Sequence, residues 1–147
     1  KNCDGVMPAL PAEPRDEDAA LLASADAMLE AVRAHIDLQA FHEALRVIWQ
    51  VVSDANRYVD NTAPWGLKKT DPPRMQEVLA VLAEVIRQVA ILVQPVMPEA
   101  TSKMLAQLGV PDNARGFDTI GGAVRLPAGH VIDKPEPVFP RYIVEEA

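Results

Sequence analysis

The sequence predicts an all-α protein: an antiparallel helix bundle followed by an extended, proline-rich C-terminal tail. Three observations predict it. Ala occurs 22 times in 147 residues while aromatics make up 5%, a composition that suits helices better than a β-rich core. No Gly lies between Gly5 and Gly66, and no Pro between Pro14 and Pro64, so a long stretch is free of breakers. Apolar residues recur at alternating spacings of three and four, the period of a helix buried on one side.

The first helix is expected from about Asp16 to His35. Pro14 leads into it, and Asp16, Glu17 and Asp18 suit the positive end of the helix dipole. Its stripe is Leu22, Ala25, Leu29, Val32 and Ile36. Asp37 is the candidate N-cap of a second helix, whose stripe is Leu38, Phe41, Leu45, Ile48, Val52, Ala55 and Val59, ending at Pro64. Asp71 followed by Pro72 makes a cap and first turn for a third helix, with Met75, Leu79, Leu82, Ile86, Val89 and Val93 in its stripe. Val78, Val81, Val85 and Leu92 flank that stripe, so this helix is apolar on most sides and should be central. Pro95 and Pro98 end it and open a short helix to about Leu108, stopped by Gly109. Beyond Gly109 the prolines and glycines exclude another long helix. The bundle is expected over 1–120 and the tail over 121–147. The tail should be extended from Lys134 to Pro140, with Val138, Phe139, Tyr142 and Ile143 docking on the bundle or on a neighbouring domain.

Composition limits function. The net charge is −7, which argues against a generic basic nucleic-acid binder, and a hydrophobic fraction of 49% argues against a disordered chain. Cys3 is the only cysteine, so an internal disulfide and a Cys-based zinc site are both excluded; a reducing compartment fits. No apolar run approaches the roughly 20 residues that span a membrane. The chain opens on Lys1 without a signal-peptide pattern, and Lys1 to Gly5 reads as the end of an element already under way, as in a fragment of a longer protein.

Catalytic patterns are absent. No Gly-rich phosphate loop precedes a helix, and Ser24, Ser53 and Ser102 lack a nucleophile elbow. His35 and His42 read as interfacial histidines, and His130 stands alone in a loop; none has ligand-spaced carboxylates. Glu43 with Arg46, and Glu84 with Arg87, read as ordinary surface pairs, and the remaining carboxylates as solvated helix faces.

One segment is more informative. Asn56-Arg57-Tyr58-Val59-Asp60-Asn61-Thr62-Ala63-Pro64-Trp65-Gly66-Leu67-Lys68-Lys69 puts a tryptophan directly after a helix-ending proline. Pro64 fixes its own φ and keeps Ala63 out of the right-handed helical region, which holds the indole at a defined angle. From Asn56 to Arg74 four basic residues (Arg57, Lys68, Lys69, Arg74) face two acidic ones (Asp60, Asp71), a net of +2. Two readings fit: Trp65 is a platform for stacking a base, or it caps the end of the bundle core with solvated lysines beside it. Trp49, next to Ile48, reads as packing.

Asn56-Arg57-Tyr58 with Ala63-Pro64-Trp65, preceded by Phe41-His42-Glu43-Ala44-Leu45 and Ile48-Trp49, resembles the anticodon-binding helix bundle of methionyl-tRNA synthetases. Gln94-Pro95-Val96-Met97-Pro98 is similar to the family's Pro-x-x-Pro break, and Lys134-Pro135-Glu136-Pro137-Val138-Phe139-Pro140-Arg141 to its tail, in which Tyr142 here falls between the Arg and Ile. The resemblance covers nearly the whole chain. It implies a class I ligase that joins methionine to its tRNA with ATP, acting in the cytoplasm. ATP and methionine, with Zn or Mg, would belong to a catalytic domain upstream, and no cofactor to this segment. The HIGH and KMSKS signatures of that domain are absent; Thr101-Ser102-Lys103-Met104 does not match the latter.

The resemblance also implies that Trp65 stacks on a base of the CAU anticodon of tRNA(Met), positioned by Pro64. Lys68 and Lys69 would meet phosphates, and Asn56 and Arg57 would line the same groove. The family's other anticodon readers, an Asn and an Arg, lie on a helix upstream of Lys1. The tail would contact the catalytic domain, no membrane is involved, and without a domain appended after Ala147 a monomer is expected. Two alternatives stay open: the anticodon-binding domain of an isoleucyl, valyl, leucyl or cysteinyl synthetase, and a helical protein-interaction module.

Overall fold

The computed structural model describes residues 3–132 and 134–139. It contains α1 (Asp16–Asp26), α2 (Met28–Asp37), α3 (Phe41–Thr62), α4 (Pro64–Thr70), α5 (Pro72–Val93) and α6 (Pro98–Gln107), then two 3₁₀ turns, Asp112–Ala114 and Phe117–Thr119. The fold is all-α. Among the described residues the only β-type pairing is an isolated antiparallel bridge between Val6 and Val131.

Two helix boundaries differ from expectation. The helix expected over Asp16 to His35 is broken at Ala27 into α1 and α2. Nothing local marks the break, because Ala is the best helix former; it falls beside Asp26, whose carboxylate is drawn to Gln88 and Arg125. Asp37 is not an N-cap. It ends α2, and Gln39 adopts a left-handed conformation (φ 58°) that reverses the chain. The Ala40 N–H then closes on the His35 carbonyl at 2.8 Å, so Ala40 takes the cap position of α3 without a side-chain acceptor.

The other signals act as expected. Asp71 Oδ1 accepts from the Arg74 N–H at 3.1 Å, and Pro72 stands in the first turn of α5. Gly109, at φ 72°, ends α6: its N–H donates to the Ala106 carbonyl, and the Val110 N–H to that of Leu105. Only a residue tolerant of positive φ closes a helix this way.

Helix α5 is central, buried on most of its circumference and packed against α1, α3, α4 and α6. The main core joins Leu21, Leu22, Ala25 and Met28 to Ile48, Val51 and Tyr58 of α3 and to Val78, Val81, Val85 and Leu92 of α5. A smaller cluster of Ala90, Ile91, Leu105 and Val110 seats α6. The buried stripe of α3 is Ala44, Ile48, Val51 and Tyr58, rotated from the expected one. Leu38 and Phe41 are exposed, as is Ile86 on α5, and Trp49 is 50% exposed rather than packed.

Charged groups account for the rest of the packing. Glu84 and Arg87 are not a surface pair; both are buried. Arg87 donates to Glu84 through Nε (3.0 Å) and Nη2 (2.7 Å), and to the carbonyls of Thr119 and Val124. Glu84 Oε2 also accepts from the Leu126 N–H, which fastens residues 119–126 to α5. Glu43 and Arg46 are a surface pair as expected, at 3.1 Å, and the exposed His42 lies beside Glu43 rather than in an interface. His130 is not isolated: its two ring nitrogens contact the carbonyls of Pro127 and Leu108. Among the described residues no group of three His, Cys, Asp or Glu side chains could hold a metal. No helix there is long and apolar enough to cross a membrane.

Residues 134–137 are without helix, and the Gln107 side-chain amide grips the Glu136 backbone at both its carbonyl (2.9 Å) and its N–H (3.3 Å). Val138 is half-buried, but Phe139 is exposed and does not dock on the bundle. Pro140, Tyr142 and Ile143 lie outside the described residues.

Candidate nucleic-acid interface

Helices α3 and α5 run in opposite directions and are joined at one end of the bundle by α4, a seven-residue helix that begins with Pro64 and Trp65. The hinge is Ala63, which has left its helix as expected but into the left-handed region (φ 43°, ψ 61°) rather than an extended one. Its N–H still donates to the Val59 carbonyl at 2.9 Å, and its own carbonyl accepts from Gly66 at 2.8 Å, so one residue ends α3 and opens α4. Pro64 has no N–H to leave unpaired there. The Thr62 hydroxyl donates back to the Tyr58 carbonyl at 2.7 Å and tightens the last turn of α3.

Trp65 is 66% exposed, so it does not cap the core. Within α4 it is Leu67 that packs against the core. Gly66 carries no side chain beside the indole, and no atom from elsewhere in the fold lies within 4 Å of the place a Cβ would take there. Trp65 therefore stands largely exposed at the surface, where an unpaired base could reach the indole. Lys68 and Lys69 follow in the last turn of α4, both exposed.

The other expected members are arranged differently. Asn56 and Arg57 are exposed on α3, about two turns before Ala63. Arg57 pairs with Asp54 at 3.4 Å and lines a groove of about 370 Å³ between α1 and α3 with Glu17, Tyr58 and Asn61. Arg74, counted in the local positive charge, is withdrawn from the surface. It is buried and bound to Asp18, Glu17 and Glu77.

Asp18 does not lie on the solvated helix face expected of the acidic residues; it is fully buried. Its Oδ1 accepts from the Tyr58 hydroxyl at 2.6 Å and from Arg74 Nη2 at 2.7 Å; its Oδ2 accepts from Arg74 Nη1 at 2.6 Å and from the Arg15 N–H at 3.1 Å. Burial pushes this carboxyl up, but the donors from Arg74, Tyr58 and Arg15 outweigh it and hold it below the usual carboxylate range. Burial, with Asp18 as acceptor, pushes the Tyr58 phenol well above its ordinary value. A carboxylate at the third position of a helix is an ordinary N-terminal residue, so the sequence offered no sign that it would meet an arginine 56 residues away.

Known proteins resemble this chain in sequence and in fold. The family model described as the anticodon-binding domain of methionyl tRNA ligase matches residues 8–147. A methionine–tRNA ligase of Rhizobium meliloti is 50% identical over the whole chain, and that of Mycobacterium tuberculosis 48% identical over 97% of it. The free-state crystal structure of the Mycobacterium tuberculosis methionyl-tRNA synthetase superposes on 97% of the chain with a TM-score of 0.91 and 47% identity. The structure of that enzyme with methionyl-adenylate also gives 0.91, over 96% of the chain. The chain spans about 28% of the length of these relatives. With the bundle, the Ala63–Pro64–Trp65 corner and these matches together, the chain belongs to the anticodon-binding domain family of methionine–tRNA ligases.

Proposed function

We propose that this domain reads the anticodon of a methionine-accepting tRNA for a ligase that joins methionine to that tRNA with ATP. The observation that carries the reading is Trp65, exposed at a corner whose backbone is set by Ala63 and Pro64, with Lys68 and Lys69 one turn further on. An anticodon is single-stranded and its bases can unstack, so an open indole face offers sequence-tolerant grip while neighbouring polar groups supply discrimination. The lysines neutralise backbone phosphates. Asn56 and the Arg57 side of α3 flank the approach. The domain selects the tRNA and performs no chemistry; ATP, methionine and any catalytic metal belong to the remainder of the ligase. Cytoplasmic action as a monomer, with the tail running toward the catalytic domain, completes the proposal.

Part of the exposed apolar surface fits a contact with the remainder of the ligase. Residues 3–8 lie beside Leu79 and Ala83 of α5, and Ile86 on that helix and Trp49 on α3 remain exposed. A further helix of the ligase, bearing additional anticodon contacts, would cover them.

Replacing Trp65 by Ala in the intact ligase tests the reading. Loss of one stacked base at roughly 1–3 kcal/mol should weaken tRNA charging about 5- to 150-fold, with methionyl-adenylate formation, followed by pyrophosphate exchange, nearly normal. Undiminished charging would refute it. Filter binding against a panel of tRNAs identifies the accepted anticodon.

A further inference from the structure

We infer that Asp18, acting through Tyr58 and Arg74, is a positioning residue for Trp65: it fixes the corner on which the indole stands and so sets how tightly the domain holds its RNA. The inference rests on the anticodon-reading function proposed above.

Residues 59–73 finish α3, turn at Ala63, form α4 against α5 and lead into the start of α5. Trp65 is too exposed to be located by packing of its own side chain, so its position follows from how α4 is seated: by Leu67 against the core, along α5, and at the two ends of this segment. Both ends are held by one carboxylate. Tyr58 stands just before the segment and Arg74 just after it, and both donate to Asp18 at 2.6–2.7 Å. The Arg15 N–H supplies a fourth donor from the start of α1.

Arg74 is fixed in turn. Its backbone N–H is capped by Asp71, and its guanidinium also donates to Glu17 (2.8 Å) and Glu77 (3.2 Å). Among the described residues no buried side-chain polar atom lacks a partner. Hydrogen bonds to a buried carboxylate are short and directional, and a fully satisfied network admits little displacement of its members. The other end of the bundle is built differently: the α2–α3 turn and the end of α5 leave an open groove of about 470 Å³ lined largely by apolar side chains, such as Ile36, Phe41 and Val96. The three-helix polar clamp thus lies at the end that carries Trp65.

Tyr58→Phe removes one hydrogen bond of the clamp and keeps the ring, so it avoids the loss of the two-pronged Arg74 pair that Asp18→Ala would cause. The intact ligase is labelled with 5-fluorotryptophan, and the Trp65 resonance is assigned by its loss in Trp65→Phe. The expected result for Tyr58→Phe is a shifted or broadened Trp65 resonance and a KM for tRNA raised about three- to tenfold at unchanged kcat. A lowered melting temperature with the Trp65 resonance and KM both at wild-type values would show a clamp that only stabilises the fold, and would overturn the inference. Trp65→Ala separates the two claims. If it raises KM and Tyr58→Phe does not, the positioning role alone is refuted; if Trp65→Ala leaves KM unchanged, the anticodon reading falls and the positioning role falls with it.

Discussion

Arg125 and Asp26 meet in a two-pronged ion pair, 2.7 Å on each prong, across 99 residues of chain. Asp26 is the last residue of α1, and Arg125 lies in the segment after the second 3₁₀ turn, so the pair ties the irregular C-terminal region to the start of the bundle. Arg125 Nη1 also approaches Glu84 Oε1 at 3.4 Å, which connects the pair to the buried Glu84–Arg87 couple. Both partners are about three-quarters buried, so the pair is screened less than a surface bridge. Arg125→Ala should therefore destabilise the domain by about 1–2 kcal/mol, since it removes a bidentate pair and leaves Asp26 with Gln88 alone. Urea denaturation checks the value. A midpoint unchanged from wild type would mean that residues 119–126 are held by Arg87 and Glu84 without it.

Titration should show the clamp around Asp18 directly. The folded-state carboxyl is held below its unfolded value near 4, so its contribution is complete above about pH 4 and is lost as the pH falls through the folded value. Tyr58 works in the opposite window. Its folded value is raised above an unfolded value near 10, so the stability it confers is intact below about pH 10 and declines as the unfolded chain loses its phenol proton. Asp18→Asn should be less stable at pH 7 yet flatter below about pH 4; Tyr58→Phe should be flatter above about pH 10. Stability measured by denaturant at a series of pH values tests both slopes.

What was legible in the sequence was what local backbone chemistry decides. Asp71-Pro72 begins α5, Pro98 begins α6 and Gly109 ends it, because caps and breakers act within a turn of themselves. The central place of α5 was legible from its wide apolar surface. The rotated stripe of α3 was not, because the 3-4 spacing of Leu45, Ile48 and Val52 and that of Ala44, Ile48 and Val51 are equally helical, and only the neighbouring helices choose between them. Trp49 and Ile86 show the same limit: both are apolar, and both remain exposed. The site was legible in part. Pro64-Trp65 and the two lysines are contiguous, so their proximity is written in the chain, whereas withdrawal of Arg74 from the basic set depends on Asp18, 56 residues away. Burial of the Glu84–Arg87 pair is illegible for a related reason, since i,i+3 spacing says that two charges meet but not whether water reaches them.

Ala63 makes a further prediction about the corner. A left-handed conformation costs a non-glycine residue roughly 1–2 kcal/mol, and here the residue is Ala at φ 43°. Glycine would remove that cost but would gain more freedom in the unfolded chain. Ala63→Gly should stabilise the domain by about 0.5–1 kcal/mol, and Ala63→Val should destabilise it, as read from denaturant midpoints. Destabilisation by both would mean that the corner depends on the Ala63 methyl group and not only on its backbone.

The lysines of α4 give a prediction about charge. The chain carries −7 overall and the segment from Asn56 to Arg74 +2, but Arg74 is spent inside the clamp, so the basic surface near Trp65 reduces to Lys68, Lys69 and the Asp54-paired Arg57. Each phosphate neutralised on a single strand contributes about 0.7 to the slope of log affinity against log salt. If both lysines meet phosphates of the anticodon loop, replacing the two with Ala in the intact ligase should weaken tRNA binding and flatten that slope by about 1.4. Trp65→Ala, by contrast, should weaken binding with the slope kept, because stacking releases no counterions. Titrations of both variants from low to high salt separate the two contributions, and an unchanged slope in the double lysine variant would assign phosphate binding to other parts of the enzyme.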